Sequence, residues 1–261
     1  MKILVFVKQV PKTDDVRLDP ITGNLQRDGV ESMMNPLDMN AVEAAVRLKE
    51  ENGGEVVAIS MGPPQALACL KTALSLGCDR AVLLSDRAFG GADTLATGYV
   101  LAKATEKIGN YDLLIFGRHA VDAETAQTGP VVAAALGLPQ LTYVSDIRCE
   151  GGSVVCERRY DKYTEIAEAD MPAVITVNAD VNTPRYAHVR DILHVNDKPV
   201  EIYDCAGLGC DPECTGVKGS PSINKTLFTP EKQEKATVKL CGDPEEIAER
   251  LIAAFSERHL I

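Results

Sequence analysis

Ile3-Leu4-Val5-Phe6-Val7 is an unbroken apolar run close to the start of the chain. A strand with one buried face alternates apolar and polar residues. A strand buried on both faces, as in a parallel sheet, is apolar throughout. Similar runs recur at residues 56–60 (VVAIS), 81–84 (AVLL) and 113–116 (LLIF), with helical patterns between them. This β-α-β-α alternation predicts a doubly wound, mostly parallel α/β sheet.

The helices carry their own signals. Asn35-Pro36-Leu37-Asp38 offers a capping residue, a first-turn proline and an early acid, followed by Leu37, Ala41, Ala45 and Leu48 at helical spacing. A second helix begins near Pro63-Pro64, presents Leu67, Leu70 and Leu74, and stops at Gly77. A third follows Asp93 and ends before Gly109; a fourth spans residues 131–136 before Gly137. Pro130 fits a first helical turn, which leaves residues 118–129 largely as an ordered loop. In the second half, residues 154–160 and 173–177 read as strands. Residues 207–230 are rich in Gly and Pro with little apolar periodicity, so they read as an arm that lies on something else. Asp243-Pro244-Glu245-Glu246 starts a last helix with Ile247, Leu251 and Ala254 on its inner face.

The chain has 261 residues, 45% apolar and 25% charged, an ordinary globular composition. Lys and Arg number 27 against 38 Asp and Glu, a net charge of −11. Such an excess of negative charge opposes nucleic-acid backbones and anionic lipid. No apolar run approaches the roughly 20 residues that span a bilayer. The default expectation is a soluble cytoplasmic protein without membrane insertion, its 8 cysteines free thiols.

Three loops follow predicted strands: residues 60–63 (SMGP), 85–93 (SDRAFGGAD) and 117–129 (GRHAVDAETAQTG). In open parallel sheets ligands bind beyond the carboxyl ends of the strands. Small residues let backbone amides approach a ligand, and helix N-termini attract phosphate. Gly90-Gly91 before Asp93-Thr94, and residues 125–129 before Pro130, suit a pyrophosphate cradle; ordinary βα turns are the competing reading. The first strand is followed by Val7-Lys8-Gln9-Val10-Pro11 rather than a Gly-x-Gly-x-x-Gly fingerprint, and there is no P-loop. No hydrolytic constellation stands out and no catalytic residue is assigned. His119, His188, His194 and His259 lack metal-ligand spacing; only His119 falls in a proposed ligand loop. Cys205, Cys210 and Cys214 cluster but lack a fourth ligand and a Cys-x-x-Cys pair, so free thiols are expected there and no metal.

Lys8-Gln9-Val10-Pro11, Asp28-Gly29-Val30, residues 34–38 (MNPLD), Met61-Gly62-Pro63, 85–97 (SDRAFGGADTLAT) and 117–130 form an ordered set with 172–176 (PAVIT), 182–187 (NTPRYA) and 216–221 (GVKGSP). This set resembles the beta (small) subunits of electron-transferring flavoproteins over nearly the whole chain. Residues 89–97 and 125–130 resemble the electron-bifurcating group. The resemblance implies a Rossmann-like adenine-nucleotide-binding core and an alpha-subunit partner carrying its own FAD. In the bifurcating group the beta subunit holds a second FAD, which takes hydride from NADH. Its two electrons then part, one to the alpha-subunit FAD and on to a dehydrogenase, the other to ferredoxin. The alternative cofactor is a structural AMP in a simple electron carrier.

Carried over by position, the adenosine end meets Phe6, Val7, Lys8, Asn35, Pro36, Asp38 and Met61, with Gly62 beside them. Gly117, Arg118, His119, Ala120, Asp122, Thr125, Ala126, Gln127 and Thr128 wrap the ribose and phosphates. Asp93, Thr94 and Thr97 lie along the pyrophosphate and ribityl chain, and Phe89 is a further contact. A partner-recognition loop spans residues 184–194, with Arg185, Tyr186, His188 and Val189 as contacts. The family's frequent leucine at that tip is Val189 here, and an acidic residue often found near Arg159 is absent. These departures imply a different partner or docking from the acyl-CoA dehydrogenase case; a flavin-dependent acyl-CoA or 2-hydroxy acid dehydrogenase is the expected class. The expected organisation is a nucleotide-binding domain over 1–190 and a C-terminal arm and helix over 191–261 that docks on the alpha subunit. A stand-alone adenine-nucleotide enzyme is the remaining alternative, without a supporting motif.

Overall fold

The first apolar run forms β1 (Lys2–Phe6) at the centre of the sheet in a computed structural model that describes residues 1–12, 31–222 and 237–261. The motif residues 28–30 and the part of the Gly/Pro-rich stretch over 223–230 lie outside the described residues. A short antiparallel pair follows, β2 (Gln9–Pro11) with β3 (Ser32–Met34). Then come α1 (Pro36–Asn52), β4 (Glu55–Met61), α2 (Leu67–Ser75), β5 (Arg80–Leu84), α3 (Thr94–Ile108), β6 (Leu113–Gly117) and α4 (Thr128–Leu136). The second half contains β7 (Gln140–Glu150), β8 (Ser153–Arg159), β9 (Thr164–Asp170), β10 (Ala173–Val177), α5 (Val189–Leu193), β11 (Val200–Tyr203), α6 (Cys205–Leu208) and α7 (Pro244–Glu257).

The large sheet has nine strands in the order β11-β5-β4-β1-β6-β10-β7-β8-β9. Pairing is parallel from β11 through β7 and antiparallel for β7-β8-β9. The mostly parallel, doubly wound expectation is met. Successive residues of β1 serve opposite cores: Ile3 and Val5 belong to the cluster that includes Ala41 and Val42 of α1, Leu4 and Phe6 to the cluster that includes Val100 of α3 and Val132 of α4. Every position of the run is therefore buried, which is why the strand is apolar throughout.

The helix signals also hold. Pro36 opens α1 after Asn35, Gly109 follows α3, and Gly137 ends α4 in a left-handed conformation. Pro130 sits in the first turn of α4. The sequence reading passed over β7, β9 and β11. β9 (TEIAEAD) buries none of its residues fully, so it carries no apolar run to read.

Two compact units are present, Met1–Lys225 and Thr226–Ile261. The first extends past residue 190, because β11 completes the sheet beside β5. Residues 205–222 lie within this unit. Cys205, Leu208, Cys210, Thr215 and Ser220 are buried, whereas the Gly/Pro content had suggested a stretch unable to bury itself. Hydrogen bonds to elements distant in sequence anchor it: Cys205 N–H to Asp86 Oδ2 (3.0 Å) and Asp211 N–H to Tyr99 Oη (2.9 Å). Burial pushes the Cys210 thiol up to about 11, while Cys214 is exposed. In the second unit, α7 is amphipathic and has no buried residue; Leu251, Ile252 and Phe255 are all exposed. No helix among the described residues is long and apolar enough to cross a membrane.

Candidate functional site

The chain leaves β1 toward β4 on one side of the sheet and later returns to place β6 on the other side of β1. This reversal opens a crevice beyond the carboxyl ends of β1 and β6, the usual ligand position in such sheets. The loops after those strands meet there. Phe6 and Phe116 stack nearly parallel, ring centroids 4.1 Å apart, beneath the crevice.

A buried polar knot ties the two loops to the N-terminus of α1. Asp38 accepts the Lys8 N–H (2.8 Å) and lies against Gly117; its burial pushes the carboxyl up to about 7, moderated by bonds from Asn35, Lys8 and Gly117. Any Cβ at Gly117 would stand 2.4 Å from Asp38 Oδ1 and 2.8 Å from the Leu37 carbonyl carbon, so only glycine fits. Asn35 is fully buried and does not cap its helix through its side chain. Its Nδ2 instead donates to the His119 carbonyl (2.9 Å) and its Oδ1 accepts the Val121 N–H (3.1 Å). Lys8 Nζ reaches across to Asp122 at 2.7 and 2.9 Å. Ala120 closes the loop's turn by accepting from Glu124 N–H (2.8 Å), and Ala126 takes a left-handed φ of 54°.

The loop ends at α4, whose first turn has no side-chain cap. Gly129 lets that turn press on the sheet, since a Cβ there would be 2.7 Å from the Thr176 methyl. The uncapped amides and the small residues form a cradle suited to a phosphate group. Arg118 adds a cation. Its Nε donates to His119 Nδ1 (3.0 Å), its Nη1 to Asn178 Oδ1 (3.3 Å), and its guanidinium lies 5.4 Å from the Tyr143 ring centroid.

The loop after β5 differs. Asp93 Oδ1 accepts the N–H groups of Leu95 and Ala96, both at 3.0 Å, and so caps α3 itself. Burial alone would raise this carboxyl, but the bonds from Ala96, Ser222 and Leu95 outweigh it and hold it below the usual range. Asp93 Oδ2 accepts the Ser222 N–H (3.1 Å), and the Asp93 N–H donates to Ser220 Oγ (2.8 Å). Thr94 Oγ1 donates to Gln127 Oε1 (2.9 Å), which links this loop to the cradle at α4. Thr97 is half-buried on α3, and the Phe89 ring is buried in the core on that face. Met61 ends β4 and Gly62 follows it, with the Gly62 N–H on the Leu84 carbonyl (3.0 Å). Thr125 and Gln127 are exposed, and Thr128 is half-buried.

Of the loop at 184–194, Tyr186 is 97% exposed, and Val189 and Leu193 are each 73% exposed. His188 is exposed and precedes α5. Arg185 behaves otherwise. Its guanidinium spans Glu43 (2.8 Å from Nε to Oε2) and Glu50 (2.6 and 2.9 Å) on α1. Burial would raise Glu43, but Arg185 and Arg47 hold it below the usual carboxylate range. Tyr143 and Asn178 were absent from the sequence reading. A bulky residue at φ 61° inside a strand leaves no mark in apolar periodicity.

The family model described as "Electron transfer flavoprotein domain" matches residues 22–206. The chain is 44% identical, over the full length of both proteins, to "Electron transfer flavoprotein subunit beta" of Thermoanaerobacterium thermosaccharolyticum. It is 40% identical, again over the full length of both, to "Caffeyl-CoA reductase-Etf complex subunit CarD" of Acetobacterium woodii. It is 38% identical over all of both chains to "Acryloyl-CoA reductase electron transfer subunit gamma" of Anaerotignum propionicum. A doubly wound sheet with a phosphate-suited crevice, matched along its whole length, places the chain in the electron transfer flavoprotein family, as a beta subunit.

Proposed function

We propose that this beta subunit binds FAD in the crevice between β1 and β6, pairs with an alpha subunit carrying a second FAD, and oxidises NADH by electron bifurcation. The observation that carries the nucleotide part is the crevice itself: an uncapped α4 N-terminus, Gly117 and Gly129 at closest approach, and Arg118 beside them. Donors of this kind fit phosphate oxygens. Gly117, Arg118 and residues 125–128 would hold the phosphates; Phe6, Val7, Lys8, Pro36 and Asp38 would border the adenosine. Thr94 and Gln127, already joined, would border the chain that leads to the flavin ring. When bound, the flavin supplies hydride acceptance and one-electron donation, while the protein supplies orientation and charge. The two electrons of one hydride would go one to the alpha-subunit FAD and one to ferredoxin.

The names of two relatives, a caffeyl-CoA reductase complex subunit and an acryloyl-CoA reductase electron transfer subunit, support a CoA-ester dehydrogenase as the partner. A 2-hydroxy acid dehydrogenase is the second candidate. The exposed loop 184–194, with Tyr186, His188 and Val189, is the proposed contact with it. Residues 191–261, including the exposed apolar face of α7, are proposed to dock on the alpha subunit. One observation favours AMP in place of the second FAD: Asp93 already places a carboxylate at the α3 N-terminus, which lowers the demand there for a ligand anion.

The deciding experiment is the nucleotide content of the co-purified pair. Two FAD per alpha-beta pair, with flavin bleaching on NADH addition, is expected. One FAD plus one AMP would replace bifurcation with simple electron carriage. A colourless, monomeric, ATP-hydrolysing protein would overturn both.

A further inference from the structure

Tyr143, near the start of β7, meets Asn178 and Arg118, the residues that follow the carboxyl ends of β10 and β6. Tyr143 carries a φ of 61° within β7. This conformation is strained for a bulky residue and persists only where its surroundings enforce it. Here two side chains enforce it. Thr176 Oγ1 accepts the Tyr143 N–H (3.2 Å), and Asn178 Nδ2 donates to the Tyr143 carbonyl (3.2 Å). The register of β7 shifts at the same place, between Ile175 and Val177 on β10 and between Val144 and Asp146 on its own strand. Irregularities of this kind re-aim a side chain.

The re-aimed ring lies 5.4 Å from the Arg118 guanidinium. The same Asn178 amide that donates to Tyr143 also accepts from Arg118 Nη1 (3.3 Å). The partners of Arg118 among the described residues are a histidine nitrogen, an amide oxygen and a phenol ring; none is a carboxylate. Lys8, the other cation of the crevice, is paired with Asp122 at 2.7 Å. One crevice cation is thus neutralised and the other is oriented while its charge stays uncompensated. A stacked, planar, unpaired guanidinium is prepared for an oxyanion.

We propose that Tyr143 and Asn178 are positioning residues that hold the Arg118 guanidinium toward a phosphate group of the bound adenine nucleotide. This rests on the nucleotide reading above and adds residues that no motif of the sequence marked.

The test uses the full-length chain paired with its alpha subunit, freed of nucleotide and titrated with AMP and with adenosine by calorimetry. Arg118→Gln and Tyr143→Leu are each expected to weaken AMP about tenfold, the scale of a partly desolvated cation–π contact or charged hydrogen bond. Adenosine affinity stays as in the wild type, because the effect acts through phosphate. Tyr143→Phe keeps the ring and keeps AMP affinity. The double variant binds AMP no more weakly than Arg118→Gln alone, since both remove one interaction. If Tyr143→Leu fails to fold, Asn178→Ala must show the same AMP-selective loss. Equal losses for AMP and adenosine, additive losses in the double variant, or a weakened Tyr143→Phe would each overturn the inference and leave nucleotide binding standing. A wild-type pair that binds neither ligand would overturn the nucleotide reading and this inference with it.

Discussion

The loops after β5 and after β6 both carry glycines and two acids, and each leads into a helix whose first residue is a threonine. They finish differently. The β5 loop spends Asp93, the acid next to its helix, on the first amides of α3 and on Ser222. The β6 loop spends Asp122 on Lys8 and leaves the first turn of α4 without a side-chain cap. Composition alone does not separate a self-satisfied turn from an open cradle. What separates them is which donor each carboxylate reaches.

The sharpest way to break this contrast is at the glycines. Gly117→Ala forces a methyl against Asp38 and the backbone of α1, and should cost about 3 kcal/mol in urea unfolding. Gly90→Ala in the β5 loop meets only the Arg87 carbonyl at 3.2 Å and should cost a fraction of that. Equal losses would mean that the β6 loop is not uniquely tight.

The next effect is a pH dependence. Asp38 is raised by burial from 3.8 to about 7, so between those values the folded state binds a proton that the unfolded state has lost. Its contribution to stability is therefore greatest below 3.8 and declines as pH rises toward about 7. The stability difference, Asp38→Asn minus wild type, should accordingly grow with pH across this window. A difference that is flat with pH would show that Asp38 titrates normally.

Asp93→Ala removes the α3 cap and should cost about 1 kcal/mol by thermal denaturation. It should also raise amide hydrogen exchange at Ser222, which loses its acceptor. Asp93→Asn, which keeps a capping oxygen, should recover most of the loss. The smallest effect belongs to Thr94→Val. Its partner Gln127 is exposed, so stability should change by about 0.5 kcal/mol. Bound flavin per pair should nonetheless fall if the Thr94 hydroxyl borders the cofactor.

Much of the parallel sheet was legible because burial on both faces forces whole runs such as residues 3–7 to be apolar. The antiparallel end was harder. β9 exposes every second residue and fills the others with Ala and Glu, so no periodic stripe marks it. The stretch 207–230 reads as an arm for a related reason: in its described part the buried apolar residues, Leu208 and Cys210, are few and pack against elements far off in sequence. At the site, loop positions and small residues could be read from motifs. The commitments of Asn35, Asp93 and Arg185 could not, because each polar group reaches a partner that only the fold brings close.

Asn40 and Asn182 exchange amide hydrogen bonds at 2.9 and 3.0 Å, each donating to the other's backbone carbonyl, one turn of α1 ahead of the Glu43–Arg185 pair. The same rod whose tip abuts the crevice thus serves as the mounting rail for the protruding segment at 184–194. If that segment makes the partner contact proposed for it, changes at Tyr186, Val189 or Leu193 can retune the contact without loosening the fold, because those side chains are largely exposed. Changes at Arg185 or Asn182 carry no such licence: they would unseat the rail and disturb both ends together.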